Sequence, residues 1–257
     1  EEDYVETVFT ASTHDNILFF TNLGKVYMKK GYKIPKAERS ARGSNIVNIL
    51  PLEPGEKIAT MIHGRAIDEG NCIIMITKNG TVKRMYQETL KNIRSTGIRA
   101  VTLDDGDELI SVRQTDGGQN VFIATHDGMS VCFDENDVRP MGRTAVGVRG
   151  IRLRDGDYVI GAGVSGAGTD LLSVTENGYG KRTHIGEYTV QNRGGLGLKN
   201  YNITDKTGRV VDMKIVNDDD DLLVVSDDGT IIRMAVSDIS VLGRSTQGVR
   251  VMKVNES

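Results

Sequence analysis

Residues 173–178 read Ser173-Val174-Thr175-Glu176-Asn177-Gly178, and the chain runs on into Tyr179-Gly180-Lys181-Arg182-Thr183. An apolar run, a polar pair, a Gly and a second β-like run spell a hairpin, because Asn-Gly supplies the positive φ angles that a two-residue hairpin turn needs. The pattern recurs at Phe19-Phe20-Thr21-Asn22-Leu23-Gly24, Met75-Ile76-Thr77-Lys78-Asn79-Gly80, Ile123-Ala124-Thr125-His126-Asp127-Gly128 and Val225-Ser226-Asp227-Asp228-Gly229. The five turn glycines, Gly24, Gly80, Gly128, Gly178 and Gly229, stand 56, 48, 50 and 51 residues apart.

Working outward, a second Gly follows each hairpin: Gly43, Gly97, Gly147, Gly195 and Gly248, at offsets of 19, 17, 19, 17 and 19. A third turn recurs at Pro54-Gly55-Glu56, Asp105-Gly106-Asp107, Asp155-Gly156-Asp157 and Lys206-Thr207-Gly208, each leading into a new apolar strand. A period of 40 to 50 residues with about four strands per unit is the signature of a β-propeller blade. Helical repeats would show apolar residues three and four apart, and these do not. The sequence therefore predicts one all-β propeller domain over residues 1–257. Its repeats fall at roughly 13–62, 68–112, 118–162, 168–215 and 220–257, with residues 1–12 completing a neighbouring, incomplete sixth blade.

Composition agrees with that fold. Trp is absent and there are only 5 Phe, so the core rests on Val, Ile, Leu and Met. Gly is frequent at 30 residues and Pro rare at 4, as in a chain of tight turns without Pro-rich linkers. Cys72 and Cys132 are too few and too far apart for a disulfide framework or a zinc site, and read as buried thiols of a reducing cytoplasm. No apolar run has the length of a membrane helix. The acidic start, Glu1-Glu2-Asp3-Tyr4, has no signal-peptide character and reads as the interior of a longer chain.

A net charge of −3 argues, taken alone, against a nucleic-acid partner. The average hides a sorting by repeat phase. The windows 24–48, 80–102, 128–152, 178–202 and 229–253 hold 24 Lys and Arg against 7 Asp and Glu, a net of +17, and the rest of the chain nets −20. Equivalent positions of propeller blades share one ring, so a phase-locked excess of positive charge predicts a basic belt. Such a belt follows a polyanion by neutralising phosphates and releasing counterions. Phosphate contacts carry no base code, and a curved belt bends the duplex it follows.

Each repeat places an Arg one to four residues before its second Gly: Arg42, Arg94, Arg143, Arg193 and Arg244. Arg99, Arg149, Lys199 and Arg250 follow, Arg39 precedes, and the second hairpin strand adds Lys29, Lys30, Lys83, Arg84, Lys181, Arg182 and Arg233. Gly lets a backbone approach a phosphate closely, and a nearby Arg adds a charge-assisted bond. The bland reading, glycines that only turn the chain, leaves the recurring Arg unexplained. Gln191-Asn192-Arg193-Gly194-Gly195-Leu196-Gly197 lacks the Lys-Ser/Thr of a P-loop and the spacing of a dinucleotide fingerprint, and reads as an Arg-bearing loop with Gly194 and Gly195 against phosphate. His14, His63, His126 and His184 have no metal-ligand spacing, and the run 218–221 lacks the alternating ligands of a calcium loop. No catalytic or metal constellation is expected.

The runs Asn177-Gly178-Tyr179-Gly180-Lys181-Arg182-Thr183, Val146-Gly147-Val148-Arg149-Gly150-Ile151-Arg152-Leu153, Ser240-Val241-Leu242-Gly243-Arg244-Ser245-Thr246-Gln247-Gly248-Val249 and Ile46-Val47-Asn48-Ile49-Leu50-Pro51-Leu52-Glu53 resemble the C-terminal domains of gyrase A proteins, components of the bacterial type IIA DNA topoisomerase DNA gyrase. The resemblance implies a β-pinwheel, in which neighbouring blades exchange strands. It implies wrapping of double-stranded DNA in support of ATP-dependent negative supercoiling, in an A2B2 complex with the rest of gyrase A and with gyrase B. It also implies a cytoplasmic, nucleoid-associated setting without a membrane, a monomeric isolated domain, and ATP and magnesium bound elsewhere in the holoenzyme. No activity is expected of this chain alone. The family's heptapeptide box, Gln-Arg-Arg-Gly-Gly-x-Gly in the first blade, is matched by residues 191–197 except at Asn192, in a later repeat. Two further readings are the corresponding domain of topoisomerase IV, which unlinks chromosomes, and a protein-interaction propeller. The latter would need apolar patches, and the sequence offers few aromatics for one. A propeller hydrolase would need a carboxylate or His cluster that the sequence does not show.

Overall fold

The computed structural model describes residues 16–30, 50–63, 71–225 and 231–252. The predicted turn at Gly229, the second glycine Gly43 and the segment 1–12 lie outside the described residues. Two compact units are present. One comprises Thr7–Gly117 with Val138–Val148, and the other Glu1–Glu6, Gly118–Asp137 and Arg149–Ser257.

The strands in chain order begin with β1 (Asn16–Thr21), β2 (Lys25–Lys30), β3 (Ile58–His63), β4 (Cys72–Thr77), β5 (Thr81–Tyr86), β6 (Ile98–Arg99) and β7 (Leu109–Thr115). They continue with β8 (Asn120–Thr125), β9 (Met129–Asp134), β10 (Val148–Arg149), β11 (Val159–Val164), β12 (Asp170–Thr175) and β13 (Tyr179–His184). The last are β14 (Leu198–Lys199), β15 (Val210–Val216), β16 (Asp221–Val225), β17 (Ile231–Ala235) and β18 (Val249–Arg250). They form four four-stranded sheets, ordered β3-β1-β2-β6, β10-β5-β4-β7, β11-β8-β9-β14 and β15-β12-β13-β18, and a two-stranded sheet, β16-β17.

Each four-stranded sheet has one construction. A hairpin sits in the middle, the strand after the third turn pairs with its first arm, and a two-residue strand pairs with its second arm. That short strand comes from the next repeat: β6 follows the β4-β5 hairpin in sequence but pairs with β2, through Lys25↔Arg99 and Val26↔Ile98. Likewise β14 pairs with β9 and β18 with β13. The fold is thus an all-β propeller of the strand-exchanging, pinwheel kind.

In each four-stranded sheet both hairpin arms are central, and the first arm is the more buried. β4 and β12 are buried along their whole length, which is why Cys72-Ile73-Ile74-Met75-Ile76-Thr77 reads as a continuous apolar run rather than an alternating one. Leu18, Phe20, Ile73, Met75, Met85 and Val112 share one core in the first unit, and Phe122, Leu171, Tyr188, Met213 and Ile215 another in the second. Both cysteines are buried and unbridged, and burial pushes the Cys132 thiol up to about 11.

The hairpin turns differ in type from the expected one. Asn79, Asp127 and Asn177 do not take positive φ; Gly24, Gly80, Gly128 and Gly178 do, at +82°, +89°, +86° and +80°. Each turn is closed by a bond from the Gly N–H to the Thr carbonyl three residues back, as from Gly80 to Thr77 at 3.0 Å. The Thr hydroxyl then accepts from the residue after the Gly, as Thr125 does from Met129 at 3.1 Å. These are type I turns followed by a left-handed Gly, so only the Gly needs the special geometry. A β-bulge recurs at the same end of the first arm, between Ile76 and Thr77 and between Val174 and Thr175. The acidic third turn buttresses the hairpin turn: Asp107 accepts from the Asn79 N–H at 2.9 Å, and Asp157 from the Asp127 N–H at 2.9 Å.

Candidate nucleic-acid interface

Between the end of the second hairpin arm and the two-residue strand that follows it, each of the four later repeats carries an arginine loop. Three of these loops share two hydrogen bonds at equivalent residues. Met141, Gln191 and Leu242 each donate their N–H to a carbonyl of the preceding hairpin, namely Arg84, Cys132 and Arg182, at 2.7, 2.8 and 2.7 Å. Two residues on stand Arg143, Arg193 and Arg244. Their guanidinium groups reach back to the previous repeat: Arg143 to the Arg99 carbonyl at 3.1 Å, Arg193 to that of Arg149 at 3.1 Å, and Arg244 to that of Lys199 at 2.8 Å. Arg193 and Arg244 make a second bond each, to the carbonyls of Asp137 and Glu187 at 3.1 and 2.9 Å.

These bonds do two things. They fix a long, flexible side chain against the backbone, which lowers the entropy lost when it grips a ligand. They also leave donors over, because a guanidinium has five N–H groups and the described bonds of Arg193 and Arg244 use two. Beside each sits the base whose carbonyl is used. Arg99, Arg149, Lys199 and Arg250 are exposed, as is Arg94, while Arg143, Arg193 and Arg244 are half-buried. The product is a cationic pair per repeat, Arg143 with Arg99, Arg193 with Arg149 and Arg244 with Lys199, at equivalent positions of the fold.

This geometry corrects the sequence alignment of the fourth repeat. The glycine equivalent to Gly97, Gly147 and Gly248 is Gly197, not Gly195. Gly97, Gly147, Gly248 and Gly197 have φ of +78°, +109°, +72° and +79°, whereas Gly195 is not among the positive-φ glycines. Arg193 then stands four residues before its Gly and Lys199 two after, as Arg143 and Arg149 stand about Gly147. The two extra glycines in Gly194-Gly195-Leu196-Gly197 obscure the register in the sequence.

A family model described as "DNA gyrase C-terminal domain, beta-propeller" matches residues 15–63, 73–116, 119–165, 169–217 and 220–257. The chain belongs to the DNA gyrase C-terminal domain family. Among curated relatives, the DNA gyrase A protein of Clostridium acetobutylicum is 52% identical over 99% of this chain and 31% of its own length. The DNA gyrase A protein of Staphylococcus epidermidis is 44% identical over 100% of this chain and 29% of its own. The chain thus spans about a third of the length of these relatives. A solved structure of a DNA gyrase A C-terminal domain superposes with a TM-score of 0.81 at 27% identity, covering 95% of this chain and 80% of that one. The C-terminal domain of DNA topoisomerase IV superposes with a TM-score of 0.83 at 25% identity, covering 94% and 76%.

In this member of the gyrase C-terminal family four of the expected contact residues turn inward. Lys83, Arg84, Lys181 and Arg182 are 1%, 7%, 0% and 5% exposed, too little to meet a phosphate backbone. Their side chains are spent on the loops of the next repeat. The Arg84 guanidinium donates to the Val138 carbonyl at 3.2 Å and that of Arg182 to Ile239 at 2.8 Å, five residues before Arg143 and Arg244 respectively. Arg182 also pairs with Asp170 at 3.1 Å and Asp218 at 2.8 Å. The Lys83 ammonium donates to the carbonyls of Ala100 and Arg143 at 2.7 and 2.6 Å. That of Lys181 donates to Gly243, Arg244 and Thr246 at 2.9, 2.7 and 2.9 Å. Sequence counts charge but not direction: Lys83 and Lys181 stand third after a hairpin Gly and Arg84 and Arg182 fourth, in the middle of strands whose four central residues are buried on both faces.

Among the remaining candidates, Lys30 is exposed and Lys29 half-buried at the end of β2. Arg233 is exposed but ion-paired with Asp221, two positions off in register across β16-β17, which reduces the charge it offers. Arg39 and Arg42 lie outside the described residues. Exposed Arg139 and Arg152 flank the arginine loop of the third repeat and were not singled out by sequence; their phase within the basic window was the available signal. His126 is buried, stacked on Tyr158 at 4.5 Å, with Nδ1 2.8 Å from the Val210 carbonyl, a structural setting. The run Asp218–Asp221 is exposed. Among the described residues no group of three or more His, Cys, Asp or Glu could hold a metal ion, and no helix is long and apolar enough to cross a membrane.

Proposed function

We propose that the repeats act as one domain that binds duplex DNA without regard to sequence and bends it along the arginine loops, presenting it to the gyrase core for negative supercoiling. The observation that carries this is the repetition of the Arg143–Arg99, Arg193–Arg149 and Arg244–Lys199 pairs at equivalent positions. Cations spaced by a structural repeat suit a ligand that is itself a repeating polyanion. Arg94, Arg250, Lys29 and Lys30 are further phosphate contacts on this reading, as are the loop glycines Gly194 and Gly195. In the whole protein the partners are the rest of gyrase A and gyrase B in an A2B2 arrangement in the cytoplasm, where ATP and magnesium serve other parts. This domain performs no chemistry.

A topoisomerase IV domain is the second reading, since the solved structures of both kinds superpose about equally, at TM-scores of 0.83 and 0.81. The 52% and 44% identities to gyrase A proteins favour the first. The test is affinity and DNA end-to-end distance with Arg143, Arg193 and Arg244 replaced together by Ala. Bending should be lost before binding, because a bend needs contacts at separated points. A triple variant that bends DNA fully would place the interface elsewhere.

A further inference from the structure

The lysines withdrawn from the surface sit where they can control the arginines that remain on it. Lys83 and Lys181 each stand three residues after a hairpin Gly, and each donates to the carbonyl of the arginine in the next repeat's loop, Arg143 at 2.6 Å and Arg244 at 2.7 Å. A carbonyl drawn inward fixes the plane of its peptide, which restricts ψ of that residue and with it the directions in which Cβ can leave the chain. The guanidinium end of the same residue is fixed by the carbonyl of Arg99 or Lys199. Arg143 and Arg244 are held at both ends.

The fourth repeat is built differently. Three residues after Gly128 stands Val131, which has no donor to offer. There the N–H of Gly194, at φ +87°, bonds directly to the Gly150 carbonyl at 2.7 Å. Gly150 occupies the place of Ala100, three residues after the second glycine, whose carbonyl Lys83 takes at 2.7 Å. One loop is fastened by a lysine bridge and the other by its own backbone.

We propose that Lys83 and Lys181 are positioning residues for DNA binding: each clamps the backbone of an arginine loop from beneath, sets Arg143 or Arg244 for phosphate, and places a second positive charge directly behind it. This rests on the DNA-binding function proposed above. The clamp is also sensitive to pH. Burial lowers Lys83 to about 8, with Arg143 adding to the effect. Burial lowers Lys181 to about 7; Glu187 opposes this, and Arg244 and Lys199 add to it. The Tyr201 ring, 4.7 Å from the Lys181 ammonium, and the Thr246 hydroxyl at 3.3 Å also face it. A phosphate drawn to the arginine in front favours the charged lysine, so DNA binding takes up protons near neutral pH.

The experiment is duplex affinity of the 257-residue chain between pH 6.5 and 8.5, for the native sequence and for Lys83→Met with Lys181→Met. The native chain should lose affinity as pH rises. The double variant should be weaker by about fivefold at pH 6.5, with a salt slope about one unit shallower and a flatter pH profile. A folded double variant with native affinity, slope and pH profile overturns the clamp. A native chain that binds no DNA fails instead on the function beneath it. Should the variant not fold, NMR titration of the Lys181 side chain in the native protein decides: its midpoint should rise when duplex is added, and an unchanged midpoint overturns the proposal.

Discussion

The loop that carries Arg143 and the loop that carries Arg193 do the same job with different materials. In the first, Lys83 bridges the Ala100 and Arg143 carbonyls and Arg84 holds Val138. In the second, the corresponding hairpin residues are Val131 and Cys132, which lie in the core. The place of Val138 is taken by Tyr188, which packs edge-on against Phe122 at 5.8 Å and donates to the Asn200 side chain at 2.6 Å. Two solutions follow from one fold. A buried charge can organise a loop if every donor finds a carbonyl, and a glycine can organise it if the backbone can bend far enough to make the bond itself. The loop at 244 belongs with the first, through Lys181 and Arg182.

The difference can be broken at either loop. The largest effect is expected from Lys181→Met, which leaves the carbonyls of Gly243, Arg244 and Thr246 without their ammonium. Thr246 still donates to the Gly243 carbonyl and Asn202 to that of Thr246, so the Arg244 carbonyl is the acceptor left unmet, at a cost of about 1–3 kcal/mol, which urea unfolding of the variant reads as a lower midpoint. Val131→Met, at the strand position equivalent to that of Lys181 but beneath a loop with no lysine to lose, should cost less in the same assay.

Next comes Gly194→Ala. At φ +87° an Ala is strained by about 1–2 kcal/mol, and the bond to Gly150 is put at risk. Gly195→Ala is the control: a Cβ there meets nothing within 4 Å, so stability should move by less than about 0.5 kcal/mol. Equal losses at the two positions would show that the left-handed turn at Gly194 is not what fastens the loop.

A smaller effect separates charge from packing. Because burial lowers Lys181 to about 7, against an ordinary 10.5, the unfolded chain binds the extra proton between those values. Stability should therefore rise with pH across that window, by at most about 1.4 kcal/mol per unit, and fall away as pH drops toward 7. DNA affinity should run the opposite way. In Lys181→Met both trends should flatten, which thermal unfolding at pH 7 and 9 checks.

Much of this was legible in the sequence. The glycine period located the hairpins, and the phase of the charges located the arginine loops. What it could not supply was direction. Lys181 and Arg182 count as two positive charges in a basic window, yet the strand they sit on turns both inward, where carbonyls of a loop about 60 residues away consume them. Nor could it supply register where glycines crowd. Gly195 and Gly197 are equivalent candidates on paper, and only the backbone angle of Gly197 shows which one begins the exchanged strand. The exchanged strands are two residues long, as at Ile98–Arg99, too short to leave a periodic pattern of their own.

The most direct test of the central claim is the salt dependence of duplex binding by the native chain. If the paired cations of successive repeats meet about six phosphates, log K should fall against log salt with a slope near about −5, and alike for unrelated sequences. A flat response, or no binding at low salt, would contradict the account.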